Sequence, residues 1–342
     1  MFPQQPDTAQ PVQIVRFEPD TETVHAVAVG AATPVAPPLS FSGALTQLRE
    51  LVNAHLGLVA PGWALTDAFI AARLQRNPAQ AITDPWVSER VTLGALQPHG
   101  GGRRLVAAAH LLRYGAGPAV GPAYAGTGEI AWFLAWPDAA PTAAALLAAA
   151  HTQMRTWGIA RSSAWNTGLP VGPFVGTPDV WPHIAAALAT AGYHAGSADE
   201  VVLGGRLSAV PPAGAPPLPG LSLERRVASG LWASHEMRFA ALLNGREVGA
   251  GEVALDLTEG GALPALRRWA WLTDLQVEEP WRRQGIGAWL VAQMVVWARL
   301  VGRSRLLLAT MADNVGAIRF YQRLGWERLV HEQTGWTRSV QP

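Results

Sequence analysis

The stretch Val277-Glu278-Glu279-Pro280-Trp281-Arg282-Arg283-Gln284-Gly285-Ile286-Gly287-Ala288 lies between two apolar runs. The run before it, Trp269 to Val277, is short and reads as a strand. The run after it, Gly287 to Leu300, is apolar all round and long enough for a buried helix. A loop that ends on a helix N-terminus presents unpaired backbone N–H groups and the positive end of the helix dipole. Gly285 and Gly287 have no Cβ, so a diphosphate can approach the backbone closely. The stretch reads as a pyrophosphate cradle. It is not a dinucleotide fingerprint, because position 290 is Leu, and not a Walker loop, because it has no Lys.

The elements around it follow from pattern. Phe239 to Leu243, the turn Asn244-Gly245 and Glu247 to Leu257 form a hairpin. Arg305 to Met311 is a core strand. Asn314 to Leu324 is a helix stopped by Gly325, and Trp326 to Val340 gives two last strands. Five prolines between Pro211 and Gly220 exclude a helix or a central strand there and mark a stiff, extended linker. It divides the chain into residues 1–210 and 221–342. The first half repeats the same rhythm. Arg90 to Gln97 and Arg104 to Tyr114 make a hairpin, Ile130 to Trp136 a strand and Ala140 to Trp157 a helix. Ser162 to Trp165, a helix over Trp181 to Ala191 and a strand over Glu200 to Leu207 follow, with two helices earlier, near Ala44 to Leu56 and Ala64 to Arg76. The fold class is α/β (α+β): two tandem domains, each a mixed, mostly antiparallel sheet flanked by helices.

Composition narrows the chemistry. The 342 residues carry a net charge of +1, which gives no field for nucleic acid or an acidic membrane surface. There is no Cys, which removes disulfides, thiolate metal sites and a thiol nucleophile. All 26 basic residues are Arg, so a Schiff-base lysine is impossible. His235 and His331 lack partners at metal-ligand spacing, and no metal is expected. No apolar run is long enough to span a bilayer, and the first residues do not read as a signal peptide. A cytoplasmic protein is expected.

The cradle and a downstream segment together resemble the GNAT N-acetyltransferases. The family's Arg/Gln-x-x-Gly-x-Gly/Ala is matched by Arg282, Gly285 and Gly287. Its Asn-x-x-Ala-x-x-Phe-Tyr-x-x-x-Gly-Phe is matched by Asn314, Ala317, Phe320, Tyr321 and Gly325, with Trp326 for the last Phe. The layout is similar to the tandem arrangement of mycothiol synthase. The resemblance implies that strands four and five splay and that acetyl-coenzyme A, the acyl donor, lies in the opening. Its diphosphate would meet the N–H groups of Arg283, Gln284, Gly285, Ile286, Gly287 and Ala288. Its pantetheine arm would run along Leu275, Gln276 and Val277, with Asn314 on the other side. The Val277 N–H would polarise the thioester carbonyl, and Tyr321 would protonate the leaving thiolate.

The family often places a base on strand four, where this chain has Trp271. Of the nearby carboxylates Asp274, Glu252 and Glu278, Asp274 lies within the strand and is the candidate instead; an ion pair with Arg267 or Arg268, or a water relay, are the alternatives. The reading is an N-acetyltransferase acting on a primary amine of a small molecule, the alternative a non-catalytic coenzyme A-binding or regulatory module. An ungapped offset of 144 puts Asp138, Pro141 and Ala143 at the positions of Arg282, Gly285 and Gly287. Matching Gly192 to Gly325 puts Trp181 and Leu188 at those of Asn314 and Tyr321. The first half is therefore expected to be silent. Too little chain separates Leu221 from Phe239 for the helices that cover the acceptor in this family, so the first half is expected to wall that pocket.

Overall fold

The computed structural model describes residues 12–27, 40–77, 82–164, 174–197, 199–228, 236–255, 257 and 266–339. The first half runs β1 (Gln13–Glu18), β2 (Thr23–Ala26), α1 (Phe41–Val59), α2 (Asp67–Gln75), β3 (Val87–His99), β4 (Gly102–Tyr114), β5 (Gly128–Ala135), α3 (Ala140–Thr156), β6 (Arg161–Ala164), β7 (Thr177–Pro178), α4 (Pro182–Thr190) and β8 (Asp199–Arg206). The second runs β9 (Leu221–Ala228), β10 (Glu236–Leu243), β11 (Arg246–Ala254), β12 (Trp269–Val277), α5 (Ile286–Leu300), β13 (Arg305–Met311), α6 (Val315–Arg323), β14 (Glu327–Gln333) and β15 (Trp336–Ser339).

Local chemistry sets these boundaries. The hydroxyls of Ser40 and Thr66 cap α1 and α2 by accepting from Gly43 and Phe69 N–H. Asn244 and Gly245 both take positive φ, the turn that closes β10 on β11 with the twist of the strands. β5 is buried along its whole length, a central strand covered on both faces. Trp165 lies outside the described residues, so the strand read as Ser162 to Trp165 is seen as far as Ala164.

The strands form two mixed, mostly antiparallel sheets, in the orders β15-β6-β5-β4-β3-β1-β2 and β7-β14-β8-β13-β12-β11-β10-β9. Each sheet contains one parallel pair, β5 with β6 and β12 with β13. The halves exchange strands. β8, from before the Pro-rich segment, is inserted between β13 and β14 of the second sheet. β15, the last strand, crosses back to β6 of the first, pairing Trp336 with Ala164 and Ser339 with Arg161.

The Pro-rich segment has no regular structure, yet it is not a free spacer. Ala213 and Leu218 pack on the second core. The first half lies on the face of the second sheet opposite α5. Trp63 meets Trp269 edge-on at 5.3 Å and Phe174 at 5.8 Å. Val202, Leu307 and Val330 join the first core from that face. No helix stands between Leu221 and Phe239 among the described residues; β9 pairs directly with β10.

Candidate active site

Strands β12 and β13 pair only at their starts, Trp269 to Trp271 against Arg305 to Leu307. Beyond those pairs the facing edges part, and β12 continues to Val277 with its outer edge open. This is the splay the sequence led us to expect. Thr273 forms a bulge against β11, between the pairs Glu252–Asp274 and Val253–Leu272. Past the bulge, Glu278 N–H turns to Val248 O on β11. Antiparallel strands alternate the direction of their polar groups, so the N–H and C=O of Val277 and Leu275 face the opening. There the Val277 carbonyl accepts from Arg282 Nε at 2.9 Å.

The loop after β12 curls through two left-handed residues, Arg283 at φ +65° and Gly285 at φ +87°. Gly285 is the N-cap of α5 and supplies no side-chain cap. None of the backbone N–H groups from Arg283 to Ala288 has a hydrogen-bond acceptor among the described residues. The Gln284 side chain bonds Pro280 O at 3.1 Å and holds the curl. A row of free donors on a left-handed curl at a helix N-terminus has the chemistry to receive an anion. Pro217 of the Pro-rich segment lies against the loop: a Cβ on Gly285 would sit 3.2 Å from its Cβ. A Cβ on Gly287 would lie 3.8 Å from Val277 and 4.0 Å from Phe320, so the end of β12, the loop and α6 converge.

Across the opening, Tyr321 is buried, its ring stacked on Trp326 at 5.4 Å and edge-on to Phe320 at 4.9 Å. Burial, and then the charge of Asp274, raise its phenol above the ordinary value. Partial burial first, and Glu252 second, raise the Asp274 carboxyl; Arg238 and the Leu275 N–H oppose them. The charged neighbours of Asp274 are thus Glu252 and Arg238 rather than Arg267 or Arg268. Arg238 bridges Glu252 at 2.7 Å and Glu247 at 2.6 Å, across β10 and β11.

Asn314 is the N-cap of α6, its Oδ1 accepting from Ala317 N–H at 3.1 Å. Its carbonyl is committed to the helix, leaving only its amide N–H groups for another partner. Trp271 packs against the first core. His235 lies outside the described residues. His331 meets Asp199 at 3.3 Å, and no group of three potential metal ligands occurs among the described residues.

Sequence reading missed Glu236, buried on β10, which accepts from the Thr273 hydroxyl at the bulge at 3.0 Å. Its position past Leu221, outside the hairpin as read, gave no signal. Pro217 was read only as linker.

The first half differs at each of these points. The loop from β5 to α3 is Trp136 to Ala139, against Glu278 to Gly285 in the second half. The ungapped offset therefore fails at the helix start: Ala139, not Pro141, stands at the N-cap position of Gly285. Pro141 still removes an N–H from the first turn of α3. Trp181 stands at the N-cap position of α4 without a side-chain capping bond, where Asn314 caps α6, and Leu188 is buried where Tyr321 is.

The model of the Acetyltransferase (GNAT) family matches residues 215–326. No curated protein matches the chain. Among solved structures, the chain is similar to a tandem GNAT protein from the clavulanic acid biosynthesis pathway, with TM-score 0.60, 17% identity and coverage of 97% of this chain and 99% of that one. A GCN5-related glucosamine N-acetyltransferase region of a fungal multi-domain GH3 β-N-acetylglucosaminidase gives 0.60 at 14% identity, over 98% of this chain and 39% of that one. A GCN5-related N-acetyltransferase from Sphaerobacter thermophilus gives 0.55 at 15% identity, over 86% and 92%. At these identities the likeness is one of fold.

Proposed function

We propose that the chain is a tandem GNAT protein, on the strength of the family-model match over residues 215–326 and a fold like that of tandem GNAT structures, and that it moves an acetyl group from acetyl-coenzyme A to a primary amine of a small molecule. The observation that carries this reading is the run of free N–H groups from Arg283 to Ala288 at the mouth of the β12–β13 opening. These groups would hold the donor's diphosphate. The edge of β12 from Leu275 to Val277 would take the pantetheine arm, with the amide N–H groups of Asn314 beyond it.

The chain's own residues then have these tasks. The Val277 N–H would polarise the thioester carbonyl. Asp274, with a raised carboxyl, would take the proton of the attacking ammonium. As the C–N bond forms and the C–S bond breaks, Tyr321 would give its proton to the sulfur, and the second proton leaving the new amide nitrogen would restore the phenol. The products are an amide and a free thiol. Residues 1–210 would be the silent half and, lying on the face of the second sheet opposite α5, would wall the acceptor's pocket.

Calorimetry with acetyl-coenzyme A tests the reading. The full chain should bind it, and Gly285→Val should abolish binding, because a branched side chain is strained at φ +87° and meets Pro217. A panel of primary amines should then release free coenzyme A. No heat at about 1 mM donor, a concentration weak sites still register, would end the proposal. Binding without turnover on any amine would leave a coenzyme A-binding module.

A further inference from the structure

Gln47, Glu50, His99, Arg103, Arg104 and Trp136 line an open groove of about 390 Å³ between α1 and the end of the β3–β4 hairpin. That volume lies within the range of small-molecule sites. The groove belongs to the first half and shares no residue with the β12–β13 opening. We propose that it is a second ligand site, for a phosphorylated small molecule with a polar body such as a sugar.

The groove is built rather than incidental. Gln47 ties α1 to β4 twice: Nε2 donates to Arg103 O at 3.3 Å, and Oε1 accepts from Leu105 N–H at 2.6 Å. The Arg104 guanidinium lies 4.9 Å over the Trp136 ring. The ring face holds it by a cation–π contact that uses none of its N–H donors, which stay available to an oxyanion. Arg103 brings a second guanidinium, whose Nη1 is buried without a hydrogen-bond partner among the described residues. A buried donor with no acceptor is uncommon in a folded protein, and a ligand oxygen would satisfy it.

Charge points the same way. Two guanidinium groups and His99 face one carboxylate, Glu50. Neither arginine forms an ion pair among the described residues. A phosphate ester presents three terminal oxygens and nearly two charges, enough for both guanidiniums at once. A carboxylate has oxygens for one fork only. Trp136 and Leu105 are the groove's apolar walls, and the five other lining side chains, Gln47, Glu50, His99, Arg103 and Arg104, are polar, which suits a hydroxylated body and not an acyl chain.

The test is calorimetry on the full chain with glucose 6-phosphate, with inorganic phosphate, glucose and acetate alongside. The sugar phosphate should bind saturably and glucose should give no heat. Arg103→Gln and Arg104→Gln should each weaken the sugar phosphate at least about tenfold, the loss of a charge-assisted pair. Both variants should keep the wild-type melting temperature and acetyl-coenzyme A titration. Gly285→Val, which closes the other cradle, should leave the sugar phosphate unaffected, so this result stands apart from the fate of the acetyltransferase reading. The proposal is overturned by no heat up to about 20 mM phosphate ester, well beyond any functional affinity. Loss of binding in Gly285→Val but not in the arginine variants overturns it as well. Equal heat from acetate overturns the phosphate assignment.

Discussion

Tyr321 is held neutral by two causes acting in one direction, burial and the charge of Asp274. A phenol so placed keeps its proton at any physiological pH, so under the proposed function the proton would be in place when the C–S bond breaks. Tyr321→Phe preserves the stacking on Trp326, so it should lower kcat by about 10²–10⁴-fold while the acetyl-coenzyme A Kd stays put. Steady-state rates and calorimetry on one preparation separate the outcomes; an equal loss in binding would mean that the ring only packs. Asp274 must lose its proton to act as a base, and Glu252 makes that harder. The rate should therefore rise with pH through a limb above the ordinary carboxylate range. Glu252→Gln removes the like charge and frees Arg238, now bound to Glu252, to act on Asp274. Both changes favour the ionised form, so the limb should move to lower pH. A limb that moves up, or stays, would take Asp274 out of the reaction.

Gly205 shows how tightly an exchanged element is fitted. It sits in β8 under Trp326 of the second half, and a Cβ there would fall 2.0 Å from the indole Cδ1. Trp326 is 1% exposed and stacked on Tyr321, so it has nowhere to go. Gly205→Ala should cost about 1–3 kcal/mol in urea unfolding, the range of overpacked cores, and should lower acetyl transfer through Tyr321. A neutral Gly205→Ala would mean that β8 is not seated where it is described. The sequence could not foresee this contact, because pairing across the Pro-rich segment has no local signature. What it did make legible were elements with chemical ends. β12 and β13 were read to the residue, and α6 is framed by the Asn314 cap and by Gly325 at φ +81°. β9 was missed because Glu224-Arg225-Arg226 interrupts its apolar residues, the mark of a sheet edge with little cover. The Thr273 bulge was invisible because period-two alternation cannot show a slip of register. The cradle was legible because glycine spacing is local. The charges around Asp274 were not, since Arg238, Glu252 and Asp274 come together only across three strands.

At the scale of the whole molecule, the question is whether the two halves are separable. Glu332 on β14 argues that they are not. It is fully buried, accepts from the N–H groups of Val175 and Gly176, and faces Glu200 and Asp179. Burial first, then those two acids, push its carboxyl up to about 8 against the opposing N–H groups. The native state keeps this proton while the unfolded chain loses it near the ordinary value of 4.5. Its contribution is therefore full below that value and drains away as pH rises toward about 8. Glu332→Gln should flatten that decline, read as the difference in urea midpoint between acidic and mildly alkaline pH; an unchanged slope would place the effect elsewhere. The exchange of β15 gives the sharper test. Two domains on a proline string would confine any damage at the C-terminus to the second half. Here β15 is the edge strand of the first sheet, and Trp336 is buried in the first core. A chain ended at Gly335 removes the four pairs with β6 and leaves a cavity where the indole was. Loss of a buried Trp costs about 3–5 kcal/mol, enough to unfold a marginal half. Hydrogen-exchange mass spectrometry should show protection lost in β6, some 170 residues upstream of the cut, and in β5, some 200 residues upstream, with β10 to β12 least affected. Protection lost only around β14 and α6 would show that the halves fold as independent units after all.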